Sequence, residues 1–161
     1  MTDTSDIRST LNDLIQTLKD GEEGFRTSAE SIKDVAARAQ FQAFASQRAQ
    51  FASELQSEVA RIGGKPETSG STSGALHRGW IEMKSAITGK DDHAILAEAE
   101  KGEDAAVKNY REALSKDLPS DIRSTIERQY RDIQAAHQTV RSLRDGTSMT
   151  SGAGTTSPRV Y

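Results

Sequence analysis

The chain has 161 residues, no cysteine and a formal net charge of −3 with acidic and basic residues interspersed. This is about the length of one domain, and the lack of cysteine excludes disulfides, thiolate metal sites and iron–sulfur clusters. We expect a cytoplasmic protein with no nucleic-acid or membrane partner, because the chain shows no basic stripe, signal-peptide pattern or run approaching the roughly 18 apolar residues of a membrane span.

Apolar residues recur at helical spacing in four long segments, and no stretch has the alternation of a strand. The predicted helices cover about 5–37, 39–62, 91–116 and 121–144. A Gly/Ser/Thr-rich connection, 63–74, and a short predicted helix, 75–87, separate the second and third. The last segment, 145–161, has no periodic apolar content, so we expect a bundle domain over 1–144 and a disordered tail over 145–161.

The connection lengths predict how the helices are arranged. The first and second helices are joined by very few residues, as are the third and fourth, so each pair should form an antiparallel hairpin. The long middle connection can cross the whole bundle. The sequence therefore predicts an all-α four-helix bundle of the ferritin-like type, with two hairpins joined by a crossover that contains a short helix.

Several polar residues fall on the apolar faces of these helices, close to the helix midpoints. A helical wheel places five side chains there: Glu22, Arg48, Glu103, Gln129 and His137. A buried charge is costly unless it has a partner. These residues should therefore either form a buried polar network, with arginine bridging carboxylates, or hold a metal ion.

Four sequence blocks resemble a bacterial family of uncharacterised four-helix-bundle proteins of the ferritin-like superfamily. They are DLIQTLKDGEEGFR, SGSTSGALHRGW, AILAEAEKGEDAAVKNYREAL and IERQYRDIQAAH, and the resemblance spans about 5–144. It implies a fold but no activity. Ferritin-like metal sites take one Glu from each of two helices and Glu-x-x-His from each of the other two. By resemblance, Glu22, Glu103 and His137 are the metal ligands, whereas Gln134 replaces one acid and the second helix offers no histidine.

Glycines interrupt the helices beside two of these acids. Gly21 and Gly24 flank Glu22, and Gly102 precedes Glu103. Glycine inside a helix costs about 1 kcal/mol relative to alanine. We expect the glycines to allow close helix approach or room for a large neighbouring side chain; a π-bulge or space for an ion is the alternative.

Two functions follow as hypotheses. The leading one is a non-enzymatic bacterial protein that acts through binding or assembly, with a stress-related role by family analogy. For this function we expect no cofactor, at most a homodimer and a protein partner that the sequence does not identify. The alternative is a degenerate ferritin-like protein that binds iron or manganese through Glu22, Glu103 and His137. A dinuclear oxidase is not expected, because too few of its ligands are present.

In the crossover, we expect Trp80 to anchor the connection to the helices.

Overall fold

The computed structural model describes residues 3–70 and 91–153, with side chains described up to residue 146. Four helices make up these ranges: α1 (Thr4–Ser31), α2 (Val35–Arg61), α3 (Asp92–Leu114) and α4 (Ser120–Ala153). The all-α expectation is confirmed, and the described ranges contain no strand. The short helix expected over 75–87 and the Trp80 anchor lie outside the described residues. Helix α4 continues past residue 144, where the fourth helix was expected to end. The boundary between a bundle domain and a tail at that residue stays a prediction.

Aspartate side chains set where three helices begin. The carboxylates of Asp3, Asp34 and Asp91 each accept a hydrogen bond from the backbone N–H three residues further on. Such a side chain satisfies a helical N–H that has no partner within the helix. The first helix was expected to continue to residue 37, but it ends at Ser31, because Ile32 is extended and Asp34 caps α2.

The helix contacts show a crossover between parallel helices. Helix α1 packs against α2 and α3, and α4 packs against α3 and α2. The backbone N–H groups of Lys33 and Asp34 donate to the Asp92 carboxylate, both at 2.8 Å, so α3 begins beside the α1–α2 junction. Helix α2 ends at the opposite end of the bundle. The end of α2 and the start of α3 therefore lie at opposite ends of the bundle, about 40 Å apart for helices of this size.

The first part of this connection lies along α1. The Arg8 side chain donates to the carbonyl of Ile62 at 2.9 and 3.1 Å. One turn further along α1, Asn12 donates to the carbonyl of Lys65 and accepts from the backbone N–H of Glu67. Residues 62–67 are thus hydrogen-bonded to successive turns of α1, in the direction of the end of the bundle where α3 begins.

Two apolar clusters fill the bundle, one towards each end. Cluster I, at the end where α1 begins, contains Ile7, Leu11, Leu14, Ile15, Leu18, Phe51, Ala52, Leu55, Val59, Ala106, Tyr110, Ala113, Leu118, Ile122, Ile126 and Ile133. Cluster II, at the end where α1 finishes, contains Phe25, Ala29, Ile32, Ala37, Phe41, Phe44, Ala45, Ile95, Leu96, Ala99, Ala136 and Val140. Between them lies the middle of the bundle, where the inward polar residues were expected. In the described part of the chain, no helix is long and apolar enough to cross a membrane.

Candidate functional site

A buried ion pair joins α2 to α3 at the middle of the bundle. Arg48 Nη1 donates to Glu103 Oε1 at 2.6 Å, and Arg48 Nη2 donates to Glu103 Oε2 at 2.8 Å. The two side chains are 1% and 0% exposed. Two parallel, charge-assisted hydrogen bonds are the strongest geometry available to an arginine and a carboxylate. Both carboxylate oxygens of Glu103 are therefore engaged by one guanidinium.

The surroundings of Arg48 show what one of the helix glycines does. The guanidinium carbon lies 5.2 Å from the centre of the Phe25 ring, within cation–π range. A Cβ atom placed on Gly21 would lie 3.4 Å from Arg48 Nη1 and 3.6 Å from Arg48 Cγ. The backbone of α1 thus passes close to the Arg48 side chain at this glycine. This agrees with the expectation of close approach and room for a large neighbour.

Gln129 belongs to a second set of hydrogen bonds, on the cluster I side of the ion pair. The Tyr110 hydroxyl donates to Gln129 Oε1 at 2.7 Å, and Gln129 Nε2 donates to Glu54 Oε1 at 2.9 Å. Glu54 also accepts from Arg128 at the surface. Burial raises the pKa of the Tyr110 hydroxyl far above its usual value, because the phenolate would lose its hydration. These bonds connect a fully buried phenol to solvent-exposed charges.

Glu22 lies at the rim of the bundle. Its carboxylate, 15% exposed, accepts from Lys19 at 3.2 Å and from Arg26 at 2.5 Å. Both partners are on α1, three residues before and four after it, where side chains share a helix face. Glu22 also lines a groove of about 640 Å³ between α1 and α2, together with Arg26, Arg38 and Gln42.

His137 belongs to a further polar group, between α3 and α4. Its Nε2 lies 2.5 Å from Asp104 Oδ1 and 3.9 Å from Glu100 Oε2. The Glu100 carboxylate, only 7% exposed, accepts from Arg141 Nε at 3.1 Å and from Arg144. One oxygen of Glu100 and of Asp104 and one His137 ring nitrogen lie within 4.8 Å of one another, which is close enough to hold a metal ion.

The structure brings together only two of the five residues expected to form one network. Arg48 and Glu103 are in direct contact, whereas Glu22, Gln129 and His137 each hydrogen-bond to other residues. Among the described residues, no hydrogen bond links any two of Glu22, Glu103 and His137. A metal site made of these three therefore stays a prediction.

Sequence reasoning did not select Glu100 and Asp104. The helical wheel singled out Glu103 on the apolar face of α3 and assigned no role to the acids on either side of it. Their signal in the sequence is the spacing in AEKGED, where Glu100 and Asp104 lie one turn apart. That spacing pointed to a shared face of α3, but it could not indicate that His137 of α4 lies opposite.

Comparisons with known proteins agree with this architecture. A family model described as a domain of unknown function (DUF2383) matches residues 6–116. No curated protein has a significant sequence match to the chain.

Three solved structures have the same fold. A two-domain protein from Anabaena variabilis ATCC 29413, with DJ-1/ThiJ/PfpI-like and ferritin-like domains, has a TM-score of 0.75 and 21% identity, over 99% of this chain and 42% of its own. A dodecameric thioferritin, the bacterioferritin-related protein of Bacteroides fragilis, has a TM-score of 0.74 and 15% identity, over 94% and 92%. A variant of Dps1 from Mycobacterium smegmatis has a TM-score of 0.69 and 15% identity, over 89% and 99%. The chain spans less than half the length of the Anabaena protein. At these identities the likeness shows the fold, a ferritin-like four-helix bundle.

Proposed function

Because the chain belongs to the family described as a domain of unknown function (DUF2383), we propose a function from its own residues: a non-enzymatic bundle protein that acts through binding or assembly. The observation that carries this proposal is the Arg48–Glu103 ion pair at the bundle centre. Glu103 is the residue that the ferritin-like resemblance makes a metal ligand on α3. Here its carboxylate is neutralised by an arginine from α2.

The ion pair disfavours metal chemistry at the bundle centre. A cation bound by Glu103 would have to displace the Arg48 guanidinium, which is 1% exposed and so cannot turn to water instead. Removing one member of a buried pair leaves the other charge uncompensated, at a cost of about 3 to 5 kcal/mol. The metal would have to offset this cost in addition to its own dehydration. The pair therefore supports an architectural role for the centre.

Assembly is supported by the comparison and limited by the surface. The similar Bacteroides fragilis thioferritin is a dodecamer. In the described residues, however, Val35 is the only large apolar side chain that is strongly exposed, at 74%. Stable homodimer interfaces usually have an apolar core. We therefore propose a monomer or a weak homodimer in the cytoplasm, whose protein partner binds a largely polar surface.

The rate of iron(II) oxidation tests the central claim, which is that Glu103 has an architectural role and does not bind a metal. We expect Glu103→Gln and Glu22→Gln each to leave the rate of iron(II) oxidation in air unchanged from that with the unaltered protein. Faster oxidation that disappears in both Glu103→Gln and Glu22→Gln would overturn the proposal. It would favour the alternative, in which Glu22 and Glu103 are metal ligands.

Sedimentation velocity over a hundredfold concentration range tests the assembly state. We expect a mass of one or two chains throughout. A concentration-independent dodecamer would contradict the weak-dimer proposal and would make a cage-like function the better interpretation.

A further inference from the structure

We propose that Glu100, Asp104 and His137 form a binding site for a divalent first-row transition metal ion, between α3 and α4. This site is separate from the Arg48–Glu103 pair and does not depend on the function proposed above. It shares one residue, His137, with the metal set expected from the sequence. Its two carboxylates are different, and it lies at the edge of the bundle.

The helices place the three donor groups on facing surfaces. Glu100 and Asp104 are four residues apart on α3, so they project from the same face of that helix. On α4, His137 lies next in sequence to the buried Ala136 and one turn from the buried Ile133. Its ring, 12% exposed, is therefore held at the edge of the packed interior and directed at the two acids.

The distances suit an ion after a small adjustment. Metal–ligand distances of about 2.0 to 2.2 Å place two donor atoms around a tetrahedral ion roughly 3.4 Å apart. The His137 nitrogen lies 2.5 Å from the Asp104 oxygen and 3.9 Å from the Glu100 oxygen, on either side of that value. The Asp104 side chain is 62% exposed and can rotate outward. An ion would then replace the hydrogen bond between His137 and Asp104.

Two arginines orient the Glu100 carboxylate, and because they are 49% and 31% exposed they can give way to an ion, unlike the buried Arg48 beside Glu103. Arg141 and Arg144 lie four and seven residues after His137 on the same face of α4, and both donate to the Glu100 carboxylate. Carboxylates that bind metals are commonly oriented by such hydrogen bonds. The positive charge of the arginines also weakens the attraction of Glu100 for a cation. We therefore expect a readily exchanged ion that the fold does not require.

The donor set indicates the kind of metal. One imidazole nitrogen and two carboxylate oxygens suit zinc, manganese, iron(II) or cobalt(II), whereas Cu(I) prefers sulfur ligands, and calcium and magnesium prefer oxygen alone. Three protein ligands with one exposed side leave coordination positions for water.

The experiment is calorimetric titration of the full chain with Zn²⁺, repeated with Co²⁺ to read coordination from its visible absorption. We expect one equivalent to bind, and we expect Asp104→Asn and His137→Gln each to weaken binding by at least about tenfold, as for residues that support a metal site. The matched control is Glu98→Gln, which removes an acid of α3 that pairs with Lys101 outside the site. It should leave affinity unchanged.

Two results would overturn the proposal. One is the absence of stoichiometric binding by the unaltered protein; the other is binding that survives Asp104→Asn, a change at an exposed position that should leave the fold intact. Glu103→Gln separates this site from the central alternative. Loss of metal in Glu103→Gln with retention in Asp104→Asn would locate the ion at the bundle centre instead.

Discussion

At the scale of single residues, the Arg48–Glu103 pair stabilises the fold only as long as both members are present. Arg48→Met leaves the Glu103 carboxylate buried without a positive partner, so we expect the free energy of unfolding to fall by about 3 to 5 kcal/mol. Urea denaturation followed by circular dichroism measures this. The double variant Arg48→Met, Glu103→Met is the control, because it buries no charge and should recover most of the loss. A double variant as unstable as the single one would show that the arginine contributes mainly through packing.

Gly21, inside α1, and Gly64, just after α2, should respond differently to a methyl group. A Cβ on Gly21 would meet Arg48 at 3.4 to 3.9 Å, which is ordinary contact, so Gly21→Ala should gain up to about 1 kcal/mol from helix propensity. A Cβ on Gly64 would lie 2.7 Å from Arg8 Cδ and 2.9 Å from Val59 Cγ1. Gly64→Ala should therefore destabilise by about 1 to 3 kcal/mol, the usual cost of overpacking. Thermal unfolding of the two variants distinguishes them, and equal effects would contradict the packing described here.

The buried phenol gives stability a dependence on alkaline pH. Because burial raises the pKa of Tyr110 above its usual value of 10.0, the phenol ionises more readily in the unfolded chain. Its contribution is complete below about pH 10, and it is lost at about 1.4 kcal/mol per pH unit as the pH rises further. Tyr110→Phe should remove this slope while costing about 1 to 3 kcal/mol at neutral pH, because Gln129 loses its donor. Urea titrations from pH 8 to 11 measure both effects, and Tyr130→Phe should retain the Tyr110 contribution.

At the scale of the elements, Asp92 connects the start of α3 to the α1–α2 junction. Its carboxylate accepts both the Lys33 and the Asp34 backbone N–H groups. We expect Asp92→Ala to cost about 1 to 2 kcal/mol, as for loss of a helix cap. Asp121, which also lies in the first turn of a helix, pairs through its carboxylate with Arg61 at the surface. Asp121→Ala should change the free energy of unfolding by less than about 1 kcal/mol, and an equal loss in both variants would contradict the role given to Asp92.

The helices themselves were predictable because each has one continuous apolar stripe. The break between α1 and α2 was expected near residue 38 but lies at residues 32–34, because helical periodicity continues through Ile32 and only the capping aspartate Asp34 marks the new start. Arg48 and Glu103, which the helical wheel put within the apolar stripes, are buried and in contact at the middle of the bundle. The wheel did not foresee that Lys19 and Arg26 hold Glu22 at the rim. Those two partners lie one turn away on α1 and are visible in the sequence. That Arg48 pairs with Glu103 of α3, and not with Glu22, depends on packing between helices, which periodicity does not encode.

At the scale of the whole molecule, the crossover order was predictable because only connection length was needed. Each short connection joins two antiparallel neighbours, and the long connection can join two parallel helices. Few arrangements of four helices satisfy both conditions. The course of the first part of the long connection, which leaves α2, was not predictable, because it depends on single hydrogen bonds from Arg8 and Asn12 to backbone groups. Length sets the topology, whereas these contacts set the path.

The central ion pair also determines how freely the rest of the interior can vary. Sliding one hairpin past the other by a helical turn would separate Arg48 from Glu103 and bury both charges alone, so this pair opposes misregistered packing. The apolar clusters then need only fill their volume. We expect a library that randomises cluster I among Leu, Ile, Val, Met and Phe to contain many well-folded members. The same library built on Arg48→Met, Glu103→Met should yield more compact chains without a single register, visible as broadened NMR spectra.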